Sequence, residues 1–110
     1  QSELAKVRRF LHRAGFCITA EDMVSEDGKY FVMLRAVHGT EAPWTEEEYL
    51  YGKHLTAEAV PVLRDFLEEE RTKTEGLLRE LASADTVKSA KRREELWLRL
   101  EQNSCRIKSL

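Results

Sequence analysis

The fold is decided by FCITAEDMVSEDGKYFVMLRAV, residues 16–37. Two runs rich in β-branched and aromatic residues, 16–24 and 30–37, flank a polar turn that contains Asp27-Gly28, a strong hairpin signal. The pattern predicts an antiparallel β-hairpin whose second strand is apolar on both faces, which is typical of a strand covered on both sides. A two-stranded ribbon is marginal alone, so we expect it to pack on helices, on a second copy of itself, or on sheet outside this chain.

The residues before the hairpin predict an amphipathic helix. Ser2 is an imperfect N-cap, and Gly15 stands where a helix usually ends. The predicted apolar face is Leu4, Val7, Phe10, Leu11 and Ala14, at helical spacing. The other face is basic, and such a face is either simply solvated or faces phosphate groups.

A helix that leads through Gly15 into a strand forms an αβ unit. Because strands joined by such units are parallel and connected by right-handed crossovers, another strand normally precedes the helix. None does so in this sequence. The chain is therefore expected to be the latter part of an α/β domain.

The second half of the chain predicts helices. Thr45 with Glu48 forms a capping box, which predicts a short helix that ends at Gly52. From about residue 60, positions at 3–4 spacing predict two long antiparallel arms with a tight connection at 83–86. Their predicted seams are Val60, Leu63, Leu67, Glu70, Thr74, Leu77 and Leu81 in the first arm, and Leu96, Leu100, Asn103, Ile107 and Leu110 in the second. The fold class is therefore α+β: a helix and an antiparallel β-hairpin, followed by an antiparallel, coiled-coil-like helical hairpin.

Composition predicts a soluble, globular and cytoplasmic protein. The chain has 110 residues, of which 42% are hydrophobic and 35% charged, and it lacks the run of ~20 apolar residues that a membrane helix requires. Cys17 and Cys105 are far apart and predict reduced thiols. Charge is segregated, because residues 40–85 carry twelve acidic and five basic side chains, whereas residues 86–110 carry three and seven.

The sequence contains no pattern that would carry a reaction by itself. Its glycines are too far apart for a phosphate or dinucleotide loop, and no nucleophile motif appears. His12, His38 and His54 are too scattered for a metal motif. We therefore expect no catalytic, cofactor-binding or metal-binding residue in this chain.

The order of features resembles the C-terminal half of the bacterial tRNA adenine-22 N1-methyltransferases, the TrmK family. The resemblance covers essentially the whole chain. Its specific part is the Glu26-Asp27-Gly28-Lys29 turn between apolar strands, followed by the Glu48-x-x-x-Gly52 helix. The other matching segments are Val7-Arg8-Arg9-Phe10-Leu11, Gly15-Phe16, Ile18, Asp22 to Ser25 and Tyr30 to Ala36.

The resemblance implies a class I, Rossmann-like methyltransferase domain that binds S-adenosylmethionine, joined to a C-terminal helical domain that helps to hold tRNA. Residues 1–39 would then be the last helix and the final strand pair of the methyltransferase sheet, and residues 40–110 the helical domain. The cofactor loop and the catalytic residues of the family lie in the other half. We accordingly expect this chain alone to bind no S-adenosylmethionine.

Seven basic residues are the candidates for tRNA contact. They are Lys88, Lys91, Arg92, Arg93 and Arg99 of the last helix, and Arg9 and Arg13 of the first. The structural alternative for the last helix is that its cations pair with acids of the facing arm. These acids are Glu68, Glu69, Glu75 and Glu80.

Two functions are therefore open. In the first, the chain is a fragment of a tRNA methyltransferase that closes the sheet and grips RNA. In the second, it is a stand-alone module whose helical hairpin binds a protein or dimerises through Leu96, Trp97, Leu100 and Ile107. In either case, the apolar run from Tyr30 to Val37 predicts self-association through the exposed β-hairpin.

Overall fold

The computed structural model describes residues 3–84 and 86–110 and confirms the α+β class. Its elements in chain order are α1 (Glu3–Arg13), β1 (Phe16–Glu26), β2 (Lys29–His38), α2 (Glu46–Tyr51), α3 (Ala59–Leu81) and α4 (Val87–Ser109). The chain divides into two compact units, residues 1–63 and 64–110, called unit 1 and unit 2 below. The predicted domain boundary between residues 39 and 40 concerns a longer protein and stays a prediction. Ser2 and Asp85, which belong to the predicted N-cap and connection, lie outside the described residues.

The predicted hairpin is confirmed. β1 and β2 are antiparallel and pair as far as Glu26 opposite Lys29, which leaves a two-residue turn. Asp27 and Gly28 have φ of 50° and 76°, the positive values that a type I′ turn requires at both positions. The register shifts between Ile18 and Ala20.

The two faces of the hairpin differ in burial. Ile18, Glu21 and Met23 of β1 are at most 5% exposed. On the other face, the alternate β2 residues Phe31, Met33 and Val37 are 48, 50 and 41% exposed. Val24, which pairs with Phe31, is 40% exposed and extends this apolar face onto β1. The described chain therefore covers one face of the sheet and leaves the other open.

The helix α1 is confirmed, but its predicted apolar face is partly wrong. Val7 and Phe10 are 44 and 58% exposed, whereas Ala5 and Arg8 are 0 and 1% exposed. The hydrophobic pattern places Arg8 outside the core because it takes no account of ion pairing. The guanidinium group of Arg8 lies beside the carboxylate of Glu21, which makes its burial possible.

The capping box of α2 is also confirmed. The backbone N–H of Glu48 donates to Thr45 Oγ1 at 3.2 Å, and the backbone N–H of Thr45 donates to Glu48 Oε1 at 2.8 Å. The helix ends at Gly52, whose φ is 94°. The three glutamates at 46–48 therefore begin a helix, as predicted, where they suit its positive end.

Unit 2 is an antiparallel helical hairpin with a partly polar seam. Asn103 Nδ2 donates to Leu67 O at 2.8 Å and to Glu70 Oε1 at 3.0 Å, which places residue 103 of α4 opposite residues 67 and 70 of α3. Near the other end, Arg93 Nη1 donates to Leu81 O at 2.8 Å. Four predicted seam positions are at most 3% exposed: Leu67, Thr74, Leu96 and Asn103. The prediction is wrong for Leu77, which is 40% exposed because its position falls at the edge of the buried side of α3.

Candidate nucleic-acid interface

The basic residues of α4 form a stripe along one side of the helix. Lys88, Arg92 and Arg99 recur at i, i+4 and i+11, and at about 100° per residue these positions lie within roughly 40° of one another around the axis. Lys88 is exposed, Arg99 is half-buried, and the side chain of Arg92 is 44% exposed. Lys91 is exposed and flanks the stripe. We call Lys88, Arg92 and Arg99 the basic stripe.

The acidic residues of α3 do not neutralise this stripe in the way the structural alternative requires. Within the described residues, no ion pair joins the stripe to Glu68, Glu69, Glu75 or Glu80. Arg92 instead lies 3.3 Å from Glu95 of its own helix, and Glu75 lies 3.8 Å from Arg71 of its own helix. Exposed pairs of this kind contribute only ~0.2–1 kcal/mol. Arg92 can therefore exchange its weak ion pair with Glu95 for a contact with a phosphate at little cost in free energy.

Arg93 has a different environment from its neighbours. It is half-buried, and its Nη1 donates to both Leu81 O at 2.8 Å and Ala84 O at 2.9 Å. The last carbonyls of a helix lack partners within the helix, and Arg93 supplies one for the end of α3. The position therefore stabilises the connection between the arms, a role that the basic run in the sequence did not reveal. RNA contact by Arg93 stays a prediction.

The two candidates in unit 1 also differ from each other. Arg9 forms an ion pair with Glu46 of α2, and its guanidinium carbon lies 5.0 Å from the centre of the Tyr49 ring. Arg13, in the last turn of α1, is exposed. Arg9 thus helps to hold α1 against α2, and Arg13 is the more accessible cation of unit 1.

A buried ion pair that the sequence did not predict joins three segments of unit 1. Arg8 Nε donates to Glu21 Oε1 at 2.8 Å, and Arg8 Nη1 donates to Tyr49 O at 2.7 Å and to Leu50 O at 3.1 Å. The second carboxylate oxygen, Glu21 Oε2, accepts from Lys53 N at 2.9 Å. Each charged group thus has several partners, and the pair ties α1 and β1 to the end of α2. No hydrophobic or motif pattern in the sequence marks this pairing.

A second polar cluster in unit 1 is centred on Glu41. Its carboxylate accepts from Ile18 N at 2.9 Å and from Trp44 Nε1 at 3.1 Å, and it lies 3.0 Å from His12 Nε2. The other imidazole nitrogen of His12 lies 2.8 Å from the Tyr49 hydroxyl, which accepts from Trp44 N at 3.2 Å. Among the described residues, no three His, Cys, Asp or Glu side chains are grouped as metal ligands would be. The cluster fixes the loop before α2 on β1.

The hydrogen bonds of this cluster shift the pKa of Glu41. Burial raises the pKa of this carboxyl group, but the bonds donated by Trp44, Ile18 and His12 lower it by more, so the pKa lies below its ordinary value of 4.5. The carboxylate form is therefore favoured by folding. The contribution to stability is fully present above the ordinary pKa and is lost as the pH falls through the lowered pKa.

We expect Glu41→Gln to lower the free energy of unfolding by about 1–3 kcal/mol at neutral pH, because hydrogen bonds to a charged group are lost. The free energy of unfolding of the variant should also decrease less on acidification than that of the parent chain. Urea unfolding between about pH 3 and 6 measures both effects. The exposed Glu58→Gln is the matched control, and equal pH profiles for both variants would contradict this role of Glu41.

Comparison with known proteins decides the family. Residues 1–104 match the family model described as TrmK, tRNA (adenine(22)-N(1))-methyltransferase. The chain belongs to this family. The match covers unit 1 and most of unit 2, so the stand-alone interaction module is not favoured. No curated protein is similar enough in sequence to be matched.

Solved structures show the same fold at low sequence identity. The chain is 23% identical to the Bacillus subtilis m1A22 tRNA methyltransferase TrmK over 94% of its length, with a TM-score of 0.80. It is 23% identical to a candidate tRNA (m1A22) methyltransferase of Streptococcus pneumoniae in complex with S-adenosyl-L-methionine, over 96% of its length, with a TM-score of 0.74. The chain is 18% identical to an uncharacterised Listeria monocytogenes protein over 92% of its length, with a TM-score of 0.79. The chain spans 47, 44 and 45% of these three structures, which is less than half of each.

Within the described residues, the helices are too short or too polar to cross a membrane.

Proposed function

We propose that this chain is the C-terminal part of an S-adenosylmethionine-dependent tRNA adenine-22 N1-methyltransferase, in which it completes the sheet and helps to hold tRNA. The observation that carries the proposal is the family match over residues 1–104, combined with solved relatives about twice as long. The activity belongs to the whole protein. The part played by this chain follows from two of its surfaces.

The first surface is the open side of the hairpin. The outer edge of β1 is partly covered, because Glu21 N donates to His54 O and Thr56 N donates to Glu21 O, each at 3.1 Å. β2 has no second neighbouring strand among the described residues. Its outer edge therefore suits pairing with a further strand, and the apolar face around Phe31 and Met33 suits packing against other elements of an α/β domain. In the isolated chain, the same face would favour pairing with a second copy.

The residues present here do not fit the cofactor of the family. S-adenosylmethionine would supply the methyl group, and nucleotide cofactors bind at glycine-rich loops with a carboxylate on the ribose. The buried carboxylate of Glu21 and the half-buried carboxylate of Glu41 already accept several hydrogen bonds from protein groups. No residue of this chain is accordingly assigned to the cofactor or to methyl transfer.

The second surface is the basic stripe with Lys91. Cations on a stable helix bind RNA phosphates largely without regard to sequence and release counterions, which makes the affinity depend on salt. Within the described residues, the stripe forms no ion pair with Glu68, Glu69, Glu75 or Glu80, which supports this use of the stripe. The position of Arg93 argues for a mainly structural role there.

The test places Lys88→Glu, Lys91→Glu and Arg92→Glu together in the whole methyltransferase. We expect the affinity for tRNA to fall at least tenfold at moderate salt and the slope of log affinity against log salt to decrease by roughly 2–3, because up to three phosphate contacts are lost. The melting temperature should stay close to that of the parent. Anisotropy titrations over a range of salt concentrations, with thermal melts, measure these quantities.

Arg93→Glu is the comparison variant, and it should lower the melting temperature because it removes a partner from the end of α3. If the triple variant binds tRNA as well as the parent, α4 is not an RNA contact.

A further inference from the structure

The basic stripe and the exposed aromatic residue of α4 point to different sides of the helix. Trp97 is 62% exposed, and at about 100° per residue it lies roughly 140–180° around the axis from the residues of the stripe. Phe66, the other aromatic residue of unit 2, is half-buried in α3. The side that carries the cations therefore offers no exposed aromatic ring among the described residues of unit 2.

A cation of α3 joins the stripe on the same side of unit 2. The hydrogen bond between Asn103 and Glu70 marks this side of the seam. Lys73 lies one turn after Glu70 in α3, and Arg99 lies one turn before Asn103 in α4. Because the arms are antiparallel, both steps lead in the same direction along the hairpin, so Lys73 and Arg99 lie on the same side of the seam as Glu70 and Asn103. Lys73 is exposed. Packed helices lie about 8–10 Å apart, so Lys73 lies beside the basic stripe, on a side of α3 that also carries Glu69 and Glu80. We call Lys73 and the basic stripe together the basic side.

We propose that the basic side binds the double-helical part of the tRNA through phosphates of its backbone, and that Lys73 belongs to this contact. The inference rests on the proposed function and names the kind of RNA that the site takes. Single-stranded RNA is held by unstacked bases on exposed aromatic side chains. Phe66, which lies two turns before Lys73 on the same side of α3, is half-buried. Paired RNA hides its bases and presents phosphates and sugars, which fixed cations on two rigid helices can contact.

The experiment measures how well two unlabelled RNAs of equal nucleotide number displace labelled tRNA from the whole methyltransferase. One competitor is a self-complementary duplex, and the other is an unstructured single strand. The basic-side variant is Lys73→Glu with Arg92→Glu and Arg99→Glu. The matched control, Arg64→Glu with Arg71→Glu and Lys108→Glu, changes the charge equally at exposed positions outside the basic side. Trp97→Ala and Lys73→Glu alone complete the set.

For the parent protein, the duplex should compete at a concentration at least tenfold lower than the single strand. The basic-side variant should lose at least tenfold in tRNA affinity together with the preference for the duplex, and Lys73→Glu alone should lose severalfold. The control variant and Trp97→Ala should stay within about threefold of the parent, since neither removes a phosphate contact.

Two results overturn the inference and leave the proposed function intact. In one, the basic-side variant loses tRNA affinity, but the single strand competes as well as the duplex. In the other, Trp97→Ala weakens tRNA binding as strongly as the basic-side changes. Parent-like tRNA binding by the basic-side variant would refute both the inference and the proposed RNA contact of α4.

Discussion

Replacing Arg8 by methionine is expected to lower the free energy of unfolding of the chain by about 3–5 kcal/mol, because it leaves a buried carboxylate without its charged partner. Arg8 and Glu21 are each 1% exposed. The change also removes the Nη1 donor from the carbonyl groups of Tyr49 and Leu50 at the end of α2. Methionine keeps much of the length of the arginine side chain, so loss of packing is a minor part of the effect. Urea unfolding at neutral pH measures the difference.

The double variant Arg8→Met with Glu21→Leu should recover a substantial part of the loss, since it removes both charges. Recovery will be incomplete because Lys53 N then loses its acceptor, Glu21 Oε2. Lys6→Met is the matched control on α1, where the pair with Glu3 is 3.5 Å long and exposed, and it should cost less than about 1 kcal/mol. Equal losses for Arg8→Met and Lys6→Met, or a double variant no better than Arg8→Met, would be inconsistent with a coupled buried pair.

Introducing Phe31→Asp and Met33→Asp should have a small effect on the stability of the isolated chain and a large one on that of the whole protein that contains it. In the isolated chain the two side chains are about half exposed, so we expect the free energy of unfolding to change by only ~0.5 kcal/mol per site and self-association to decrease. In the whole protein, the rest of the α/β domain would cover this face. Two buried charges should then destabilise it by at least ~3 kcal/mol, or prevent folding.

Sedimentation equilibrium and urea unfolding of the isolated chain, beside thermal melts of the whole protein, measure this contrast. Lys29→Asp, at the exposed end of β2, is the control and should be tolerated in both contexts. If the whole protein tolerates Phe31→Asp with Met33→Asp as well as it tolerates Lys29→Asp, the apolar face of the hairpin is not covered by the rest of the protein.

The elements that the sequence predicts well depend on neighbouring residues. Asp27-Gly28 adopts the positive φ values of a tight hairpin turn, and Thr45 with Glu48 forms a capping box. Asn103 occupies the seam predicted from 3–4 spacing because burial of a helix face follows that period. Each of these signals is local or strictly periodic, which is why one sequence suffices to find it.

The interactions that the sequence does not predict join distant positions through charged side chains. Arg8 reaches Tyr49, which is 41 residues away, and Glu41 gathers donors from α1, β1 and its own loop. Hydropathy assigns such residues to the surface, so the predicted face of α1 was partly wrong. The sequence likewise does not distinguish Arg93 from its basic neighbours, although its side chain donates hydrogen bonds to carbonyl groups at and just after the end of α3. The RNA contacts of Lys88, Lys91, Arg92, Arg99, Arg9 and Arg13 stay predictions.

The most direct test of the account is to map methyl transfer by the whole protein that contains this chain. The protein is incubated with S-adenosylmethionine and unmodified tRNA, and the modified nucleotide is located by primer extension and mass spectrometry. The predicted result is methylation at N1 of adenine-22. A tRNA with guanine at that position should not be methylated. The variant Lys88→Glu with Lys91→Glu and Arg92→Glu should methylate adenine-22 less well because its KM for tRNA is higher. A folded protein that binds S-adenosylmethionine but leaves adenine-22 unmodified would contradict the proposed function.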